Sequence, residues 1–540
     1  MLIDTLYVGA RFLAGREFTP VHALAVHQGR IVALGDDARE LSARRRVDLG
    51  GAAVVPGFHD AHNHLAWFGM SLDDLPLGDD RVRSVDDVYA AVAARAAELP
   101  PGSWIIGSGY DQTKLLGGHP SAEALDRAAP QHRVWLKHTS GHMCVVNSAV
   151  LADLDLDQVP EGGDVVRDAA GRPTGLLREQ AQLLLQPLVF PVPVARVTRA
   201  IERANRALIA QGVTSVQEAG IGGGWIGQTP IELAAYQIAR AESVLDLRVT
   251  VMISADAMHA VDSAAEDEIS FGVDLGLHTG FGDDQLRIGA MKIFADGSLV
   301  GRTAAMYDDY VGDDGERGYF QRPLAELSET IRLAHQSGWQ VATHAIGDRA
   351  VGEVLDIYEE VLAAHPRPDH RHRIEHCGIT RPEHMGRIAR LGVIPVPQGR
   401  FIYEFGDGMI SAVGAERAQW CYRQKSFLDA GIELPASSDR PVVDGRPLLG
   451  LRDLVQRRTA TGAVLAANEC LTPKQALRAY TYGSAYAGFA ERRVGLLDLG
   501  YLADFAVLSA DPLQAEDLGD VDVLATVVGG ETVHDAAGLC

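Results

Sequence analysis

The sequence predicts an α/β chain: a (β/α)8 TIM-like barrel, a small β-sandwich domain assembled from both termini, and a subdomain inserted after the first barrel strand. Three observations carry that prediction. Both ends of the chain are short apolar runs broken by glycine, the middle alternates strand-like runs with amphipathic helical spacers, and one stretch breaks that alternation. At 540 residues the chain is too long for one small domain and ample for a barrel with accessory parts.

The N-terminal runs DTLYVGARFL, HALAVHQGRIVALG and RRVDLGGAAVV, and the C-terminal runs RRVGLLDLGYLADFAVLS and VLATVVGGETVH, are antiparallel strand material with turns at glycine. They assign residues 1–55 and 494–540 to one composite β domain around a barrel at 56–493. Within the barrel, buried strands are expected at 53–58, 214–218, 247–253, 288–294, 340–343, 372–375, 393–397 and 433–437. Segments such as VARVTRAIERANRALIAQG and DRAVGEVLDIYEEVLAAH repeat apolar residues at helical spacing between them. Residues 71–188 hold two further strand-like runs, WIIGSG and RVWLKH, among loops rich in Gly and Pro, and form the expected insertion.

Hydrophobic residues make up 47% and charged residues 22%, the balance of a soluble globular protein. A formal charge of −23 argues against nucleic acid and anionic membrane as partners, since both would repel it. Five scattered cysteines without a CxxC pair exclude a disulfide framework and a thiolate zinc knuckle. With no signal-peptide pattern at MLIDTLYVGARFLAG and no apolar run of about 18 residues, a cytoplasmic protein is expected.

The chemistry starts at VVPGFHDAHNHLAWFG. Here an apolar run ends in His62 and His64, two imidazoles projecting to the same side of an extended strand. At the C-terminal end of a barrel strand they face the mouth, where active sites of this fold lie. QVATHAIGD sets His344 at another strand end, HRIEHCGI sets His376, and ELPASSDRP sets Asp439. A lone histidine in such a position is ordinarily a satisfied core residue, but here each closes its own strand. Four histidines and an aspartate suffice for one or two divalent metals. Lys292, in RIGAMKIFADGS, occupies a barrel interior that should be apolar. It is either salt-bridged to a carboxylate such as Glu218 or Asp296, or carbamylated by CO2 to give a metal-bridging carboxylate.

These motifs resemble the amidohydrolase superfamily, and within it the amidohydrolase-3, or YtcJ-like, family that includes N-substituted formamide deformylases. PGFHDAHNH, GYDQTK, SGHMCVVNS, PTGLLRE, MKIFADGSLVGRTA, THAIGDRAV, RIEHC, LPASSDRPV, TPKQALRAYT and GYLADFAVL succeed one another in the family's order over nearly the whole chain. The resemblance maps His62, His64, Lys292, His344, His376 and Asp439 onto the family's metal centre. Ser140 stands where the family usually has aspartate, and His59 where it usually has an apolar residue.

The resemblance implies a hydrolase of non-peptide carbon–nitrogen bonds acting on a small-molecule amide. One or two zinc ions would activate water, Asp439 would shuttle the proton, and His142 would stabilise the oxyanion. Two rival readings stand: a mononuclear deaminase on the same barrel, against which Lys292 speaks, and a scaffold protein, which would have lost ligands kept here. Glu179 in PTGLLREQA is an alternative bridging carboxylate or a salt-bridged residue. Trp67, Asp111, Arg302 and Tyr403 are candidate substrate contacts, with Phe68, Trp225 and Phe401 as further aromatic candidates. IGGGWIG lacks the spacing of a phosphate loop and is read as a loop at the barrel mouth. A homodimer is expected.

Overall fold

The computed structural model describes residues 2–540 except Asp79, Asp80, Trp225 and Ala265. Seven parallel strands form the barrel wall: β1 (Phe58–Asn63), β2 (Val213–Ile221), β3 (Arg248–Ser254), β4 (Leu286–Phe294), β5 (Val341–Ala345), β6 (Arg373–His376) and β7 (Ile394–Val396). They hydrogen-bond in sequence order from β1 to β7. Every residue of β1, β2, β5, β6 and β7 is buried, because the barrel interior covers one face and the helices the other.

Two strand expectations need correction. The run at 53–58 divides at Gly57. Ala53–Pro56 joins the sheet built by the termini, and only Phe58 onward enters the barrel. A Cβ at Gly57 would lie 2.2 Å from the Thr214 hydroxyl, so the crossing between sheets needs glycine. The run at 433–437 is extended but is not a strand: it makes one parallel bridge, Ser437 to Gln398. Pro435 has no N–H to give, and the Ala436 N–H turns away to Ala479 O (3.0 Å) and the Ser484 hydroxyl (3.1 Å). This segment still closes the barrel, through Ala61 N to Ala436 O (3.1 Å) and Asp439 N to His62 O (2.8 Å).

The termini share one eight-stranded sheet in which Phe505–Leu508 pairs antiparallel with Ala53–Pro56. Tyr7, Phe12, Leu24, Val54, Phe505 and Val507 from both ends meet in one apolar core. The stretch after β1 carries a separate six-stranded sheet, from Leu75–Pro76 to Pro173–Glu179, where the sequence suggested only two strands. The short or polar members, such as GDVVR at Gly163–Arg167, lack the apolar run that marks a strand.

One helix contact positions the site. Helix Leu65–Ser71, which comes directly after β1, packs on helix Val194–Ile209, whose Val197, Ile201, Ala204 and Leu208 form its buried stripe. At Gly69 a Cβ would sit 1.8 Å from Ala200 O, so glycine permits the two backbones to touch. That contact fixes Trp67 in the same short helix. No helix among the described residues is long and apolar enough to cross a membrane.

Candidate metal centre

His62 and His64 leave the end of β1, His344 the end of β5 and His376 the end of β6. Asp439 comes after the segment that closes the barrel, and all five are buried. His62 Nε2 and His64 Nε2 each stand 3.2 Å from Asp439 Oδ1, and His376 Nδ1 is 4.0 Å from Oδ2. The ring centroids of His62 and His376 are 5.0 Å apart, and those of His344 and His376 4.5 Å. His62, His376 and Asp439 together could hold a metal ion. His376 and Asp439 take positive φ (65° and 60°), a costly conformation for such residues that tends to survive where function fixes it.

The hydrogen-bond network assigns the protons. His62 Nδ1 donates to Glu375 Oε2, so its Nε2 carries the lone pair. That nitrogen has no hydrogen-bond partner; it faces Asp439 Oδ1, and neither atom has a hydrogen to give. His344 Nε2 donates to Gly297 O (3.1 Å), which leaves Nδ1 as a buried lone pair without a partner. Gln398 spends its amide hydrogens on Val396 O and the Ser437 hydroxyl. Its Oε1 therefore accepts from His376 Nδ1 (2.8 Å), and the lone pair falls on Nε2. Lone pairs and a carboxylate converging in a dry site repel one another unless a cation sits between them. The donor set therefore fits a divalent metal.

Electrostatics agree. Burial lowers the pKa of His64 to about 4 and of His376 to about 3, and holds His344 well below the usual range. Burial raises the Asp439 carboxyl, but the neighbouring imidazoles of His62, His64 and His376 outweigh it and hold the group well below the carboxylate range.

Behind these groups lies a layer that the sequence did not lead us to expect. Arg373 grips Glu375 with two bonds (Nε to Oε1 2.6 Å, Nη2 to Oε2 2.8 Å), and also donates to Ala61 O (2.7 Å) and to Gln217. Asp60 accepts from Ser438 N (2.9 Å), the Ser438 hydroxyl (2.5 Å) and Asn63 Nδ2 (2.9 Å), tying the end of β1 to the Asp439 turn. Asp296 accepts three backbone N–H groups, from Ala305, Ile346 and Gly347, and joins the ends of β4 and β5. Burial pushes its pKa up to about 7. The signal was present in RIEH: Arg373 and Glu375, two apart on a wholly buried strand, point to one side.

Lys292 does lie among these groups, lining a cavity of about 10 Å3 with His62, His64, His344, His376 and Asp439. The salt bridge to Glu218 or Asp296 is not formed. Glu218 instead accepts from Tyr236 and Ala66 N (3.2 Å), and Asp296 is engaged by its three backbone N–H groups. Lys292 Nζ sits 4.5 Å from the Phe294 ring centre, and burial lowers its pKa to about 8 against the pull of Glu375 and Asp439.

The inserted segment supplies His142, whose ring lies 5.1 Å from that of His344. Its Nδ1 donates to Glu179 Oε2 (2.7 Å). Burial works against a charge there, but the Glu179 carboxylate prevails and the pKa is raised. Glu179 also accepts from Gln321 Nε2 (2.6 Å) and from Thr303, so it backs His142 rather than joining the cluster.

Trp67 packs against His64 with ring centres 5.5 Å apart, and Phe401 stacks on His376 at 6.1 Å. Three candidate contacts are not brought to the cluster. Arg302 pairs with Asp313, Asp111 accepts from Thr113 N and Oγ1 in a turn, and Tyr403 lies under the Arg400 guanidinium at 4.3 Å. Phe68 is covered by Arg440 at 3.9 Å. Trp225 lies outside the described residues. The glycine-rich loop around it is clasped by Glu232, which accepts from Gly222 N (3.0 Å) and Gln228 N (2.8 Å). Its Ile226 reaches the small cavity.

The profile of the family described as the Amidohydrolase family matches residues 45–534. The chain is 32% identical over 499 residues to the putative amidohydrolase YtcJ of Bacillus subtilis, covering 91% of this chain and 90% of that protein. It is 27% identical over 533 residues to an N-substituted formamide deformylase of Arthrobacter pascens, covering 96% and 95%. Among solved structures, an uncharacterized metal-dependent hydrolase from Pyrococcus horikoshii superposes with a TM-score of 0.75 at 27% identity, over 96% of this chain and 99% of that one.

Proposed function

Since the chain belongs to the amidohydrolase family, we propose that it is a metal-dependent hydrolase that cleaves the carbon–nitrogen bond of a small, non-peptide amide. The observation that carries this reading is the set of orphaned imidazole lone pairs, at His62 Nε2 and His344 Nδ1, buried around Asp439. His62, His64, His344, His376 and Asp439 would hold one or two divalent ions, with zinc the ion suited to imidazole and carboxylate donors. Zinc, when bound, supplies Lewis acidity that activates water and polarises a carbonyl.

The chain's own groups do the rest. Asp439 accepts the proton of the attacking water and passes it to the departing nitrogen, a task that needs the ionised carboxylate its depressed pKa ensures at neutral pH. His142, whose ring the Glu179 carboxylate favours in the protonated form, would donate from Nε2 to the oxygen that gains negative charge. Glu375 and Arg373 keep the His62 ring in its donor tautomer. Lys292 would be the site of carbamylation: its neutral amine adds to CO2 and loses a proton, and the resulting carbamate would supply a further oxygen ligand. The low pKa and absent salt bridge support this role.

The products are a carboxylic acid and an amine. The test is elemental analysis of purified protein, then a screen of metal-replete enzyme against N-acyl amines, N-acyl amino acids, cyclic amides and aryl esters. Near two ions per chain with amide turnover is expected; one ion with ammonia release from an aminopurine would instead mark a deaminase. Absence of bound metal would sink the reading.

A further inference from the structure

A second cavity among the described residues is far larger than the one at the metal centre. It measures about 280 Å3 and lies between the inserted sheet and the barrel, lined by Trp104 and Trp135 of that sheet, by Leu185, Leu188 and Phe190, and by Met70 of the helix after β1. Three links tie it to the small cavity around His62 and Asp439. Trp67 and Ile226 line both spaces. Trp67 also packs on His64, itself a lining residue of the small cavity. Gly141 and Met143, on either side of His142, line the larger cavity while His142 lines the smaller.

The chemistry of the lining selects an occupant. Three tryptophans and several branched aliphatic side chains line it, and its glutamines, Gln182, Gln186 and Gln228, are uncharged and donate to backbone carbonyls. Of its two cations, Lys137 is neutralised by Asp74 (3.1 Å) and lies over the Trp135 ring, and Arg196 is exposed. Such a surface rewards uncharged apolar groups and offers an anion no buried partner. An apolar cavity of about 150 Å3 holds a benzene ring. This one therefore has room for an aryl or branched alkyl group on a short linker.

We infer that this cavity receives the apolar substituent of the amide substrate, with Trp67 and Ile226 forming the passage between substituent and scissile bond. The inference rests on the amide-hydrolysing reading. It identifies the substrate class as secondary amides bearing one bulky, uncharged apolar group. That group could belong to the acyl side or the amine side, and the test distinguishes the two.

Two series of amides are assayed with the full-length, metal-loaded enzyme: formamides whose nitrogen carries methyl, butyl or 2-phenylethyl, and N-methylamides whose acyl group grows from acetyl to 3-phenylpropanoyl. In one series kcat/KM should rise at least about tenfold from the smallest to the largest member, since single methylenes in apolar pockets are worth this much. Leu188→Trp, which fills the cavity away from the metal residues, should erase the rise, so that the largest member loses far more than the smallest. Val192→Phe, at another residue that lines the cavity, serves the same purpose if Leu188→Trp does not fold. A kcat/KM independent of substituent size in both series, or an equal loss for all members in the filled variants, would overturn the inference while leaving amide hydrolysis intact. If no amide is turned over, calorimetry with N-(2-phenylethyl)acetamide decides. Binding to wild type that is lost in the filled variant retains the cavity assignment although the functional reading has failed, and no binding to wild type overturns it.

Discussion

Two clusters of buried histidines sit at opposite ends of the barrel. At the mouth, His62, His64, His344 and His376 surround Asp439. Near the N-terminal ends of β5 and β6, His335, His370 and His372 pack together, with His370 and His372 ring centres 4.6 Å apart. Composition and burial do not tell them apart; the destination of each lone pair does. In the lower cluster His372 Nδ1 accepts from Val341 N (3.0 Å), so its Nε2–H donates to His335 Nδ1 (2.8 Å), whose Nε2–H donates to His365 O (2.8 Å). His370 accepts from His372 N (2.9 Å) and donates to Leu391 O (2.8 Å). Every nitrogen is satisfied by neutral groups, and the cluster needs no ion. At the mouth the outer nitrogens are fixed by Glu375, Gly297 and Gln398, while the inner nitrogens of His62 and His344 are orphaned around a carboxylate. Buried imidazole lone pairs without partners that gather around a carboxylate, rather than lying singly, mark a site built for something else.

The largest effect expected from breaking this contrast is at the mouth. Asp439→Asn keeps the shape but cannot take a proton from water, so kcat should fall by about 10²–10⁴-fold while the fold persists. Near-normal turnover by the metal-replete variant would show that Asp439 only shapes the turn. Next comes the layer behind. Glu375→Gln removes the negative charge from His62 Nδ1 and leaves Arg373 uncompensated, and metal affinity should drop roughly 10–100-fold by chelator competition.

The lower cluster should respond in the opposite manner. His372→Phe strands the N–H of Val341 and a nitrogen of His335, each at a cost of about 1–3 kcal/mol. The melting temperature should fall while metal content and kcat per folded molecule hold. Loss of metal in this variant would dissolve the distinction between the two ends.

The smallest effect is a pH dependence. Burial depresses the pKa of His335 to about 4, that of His372 further, and that of His370 in the same direction, and Arg367 beside them opposes their protonation. The unfolded chain therefore binds more protons below about pH 6.5, and stability rises with pH in that range. The contribution is complete above the unfolded value of 6.5 and is lost as pH falls toward 4. Denaturant melts of the apo protein between these limits should show a shallower slope for His372→Phe than for wild type. An unchanged slope would mean that these rings titrate normally.

The contrast also bears on what is legible in the sequence alone. HxH after an apolar run, and single histidines closing QVATH and RIEH, are legible because strand alternation and position at a strand end are local properties. The same logic should have drawn attention to Asp60, which shares a face with His62 and His64, and to Arg373 and Glu375. A charged pair inside a buried strand has no other reading than mutual pairing or service to a site. Asp111 and Arg302 lie in loops and Tyr403 in the helix Phe401–Arg417, and neighbouring sequence does not fix where such side chains end up. Each finds its partner locally instead. The lower histidines show the converse error that local reading invites: HRHRIEH offers three histidines, and only the third reaches the mouth.

The sequence by itself determined the barrel, the terminal sheet and the identity of the residues at the strand ends. These arise from periodicity and from the order in which apolar strands and polar termini alternate, and both are properties of short segments. Only the tertiary structure decided that Lys292 pairs with neither Glu218 nor Asp296, that Glu179 backs His142, and that the eighth barrel position is an extended segment rather than a strand. It alone joined Trp67 and Ile226, 159 residues apart, to the inserted sheet around a 280 Å3 cavity. Those outcomes depend on which of several possible partners lies within hydrogen-bonding or packing distance. In a chain where the groups concerned are separated by tens to hundreds of residues, packing of the elements settles that choice.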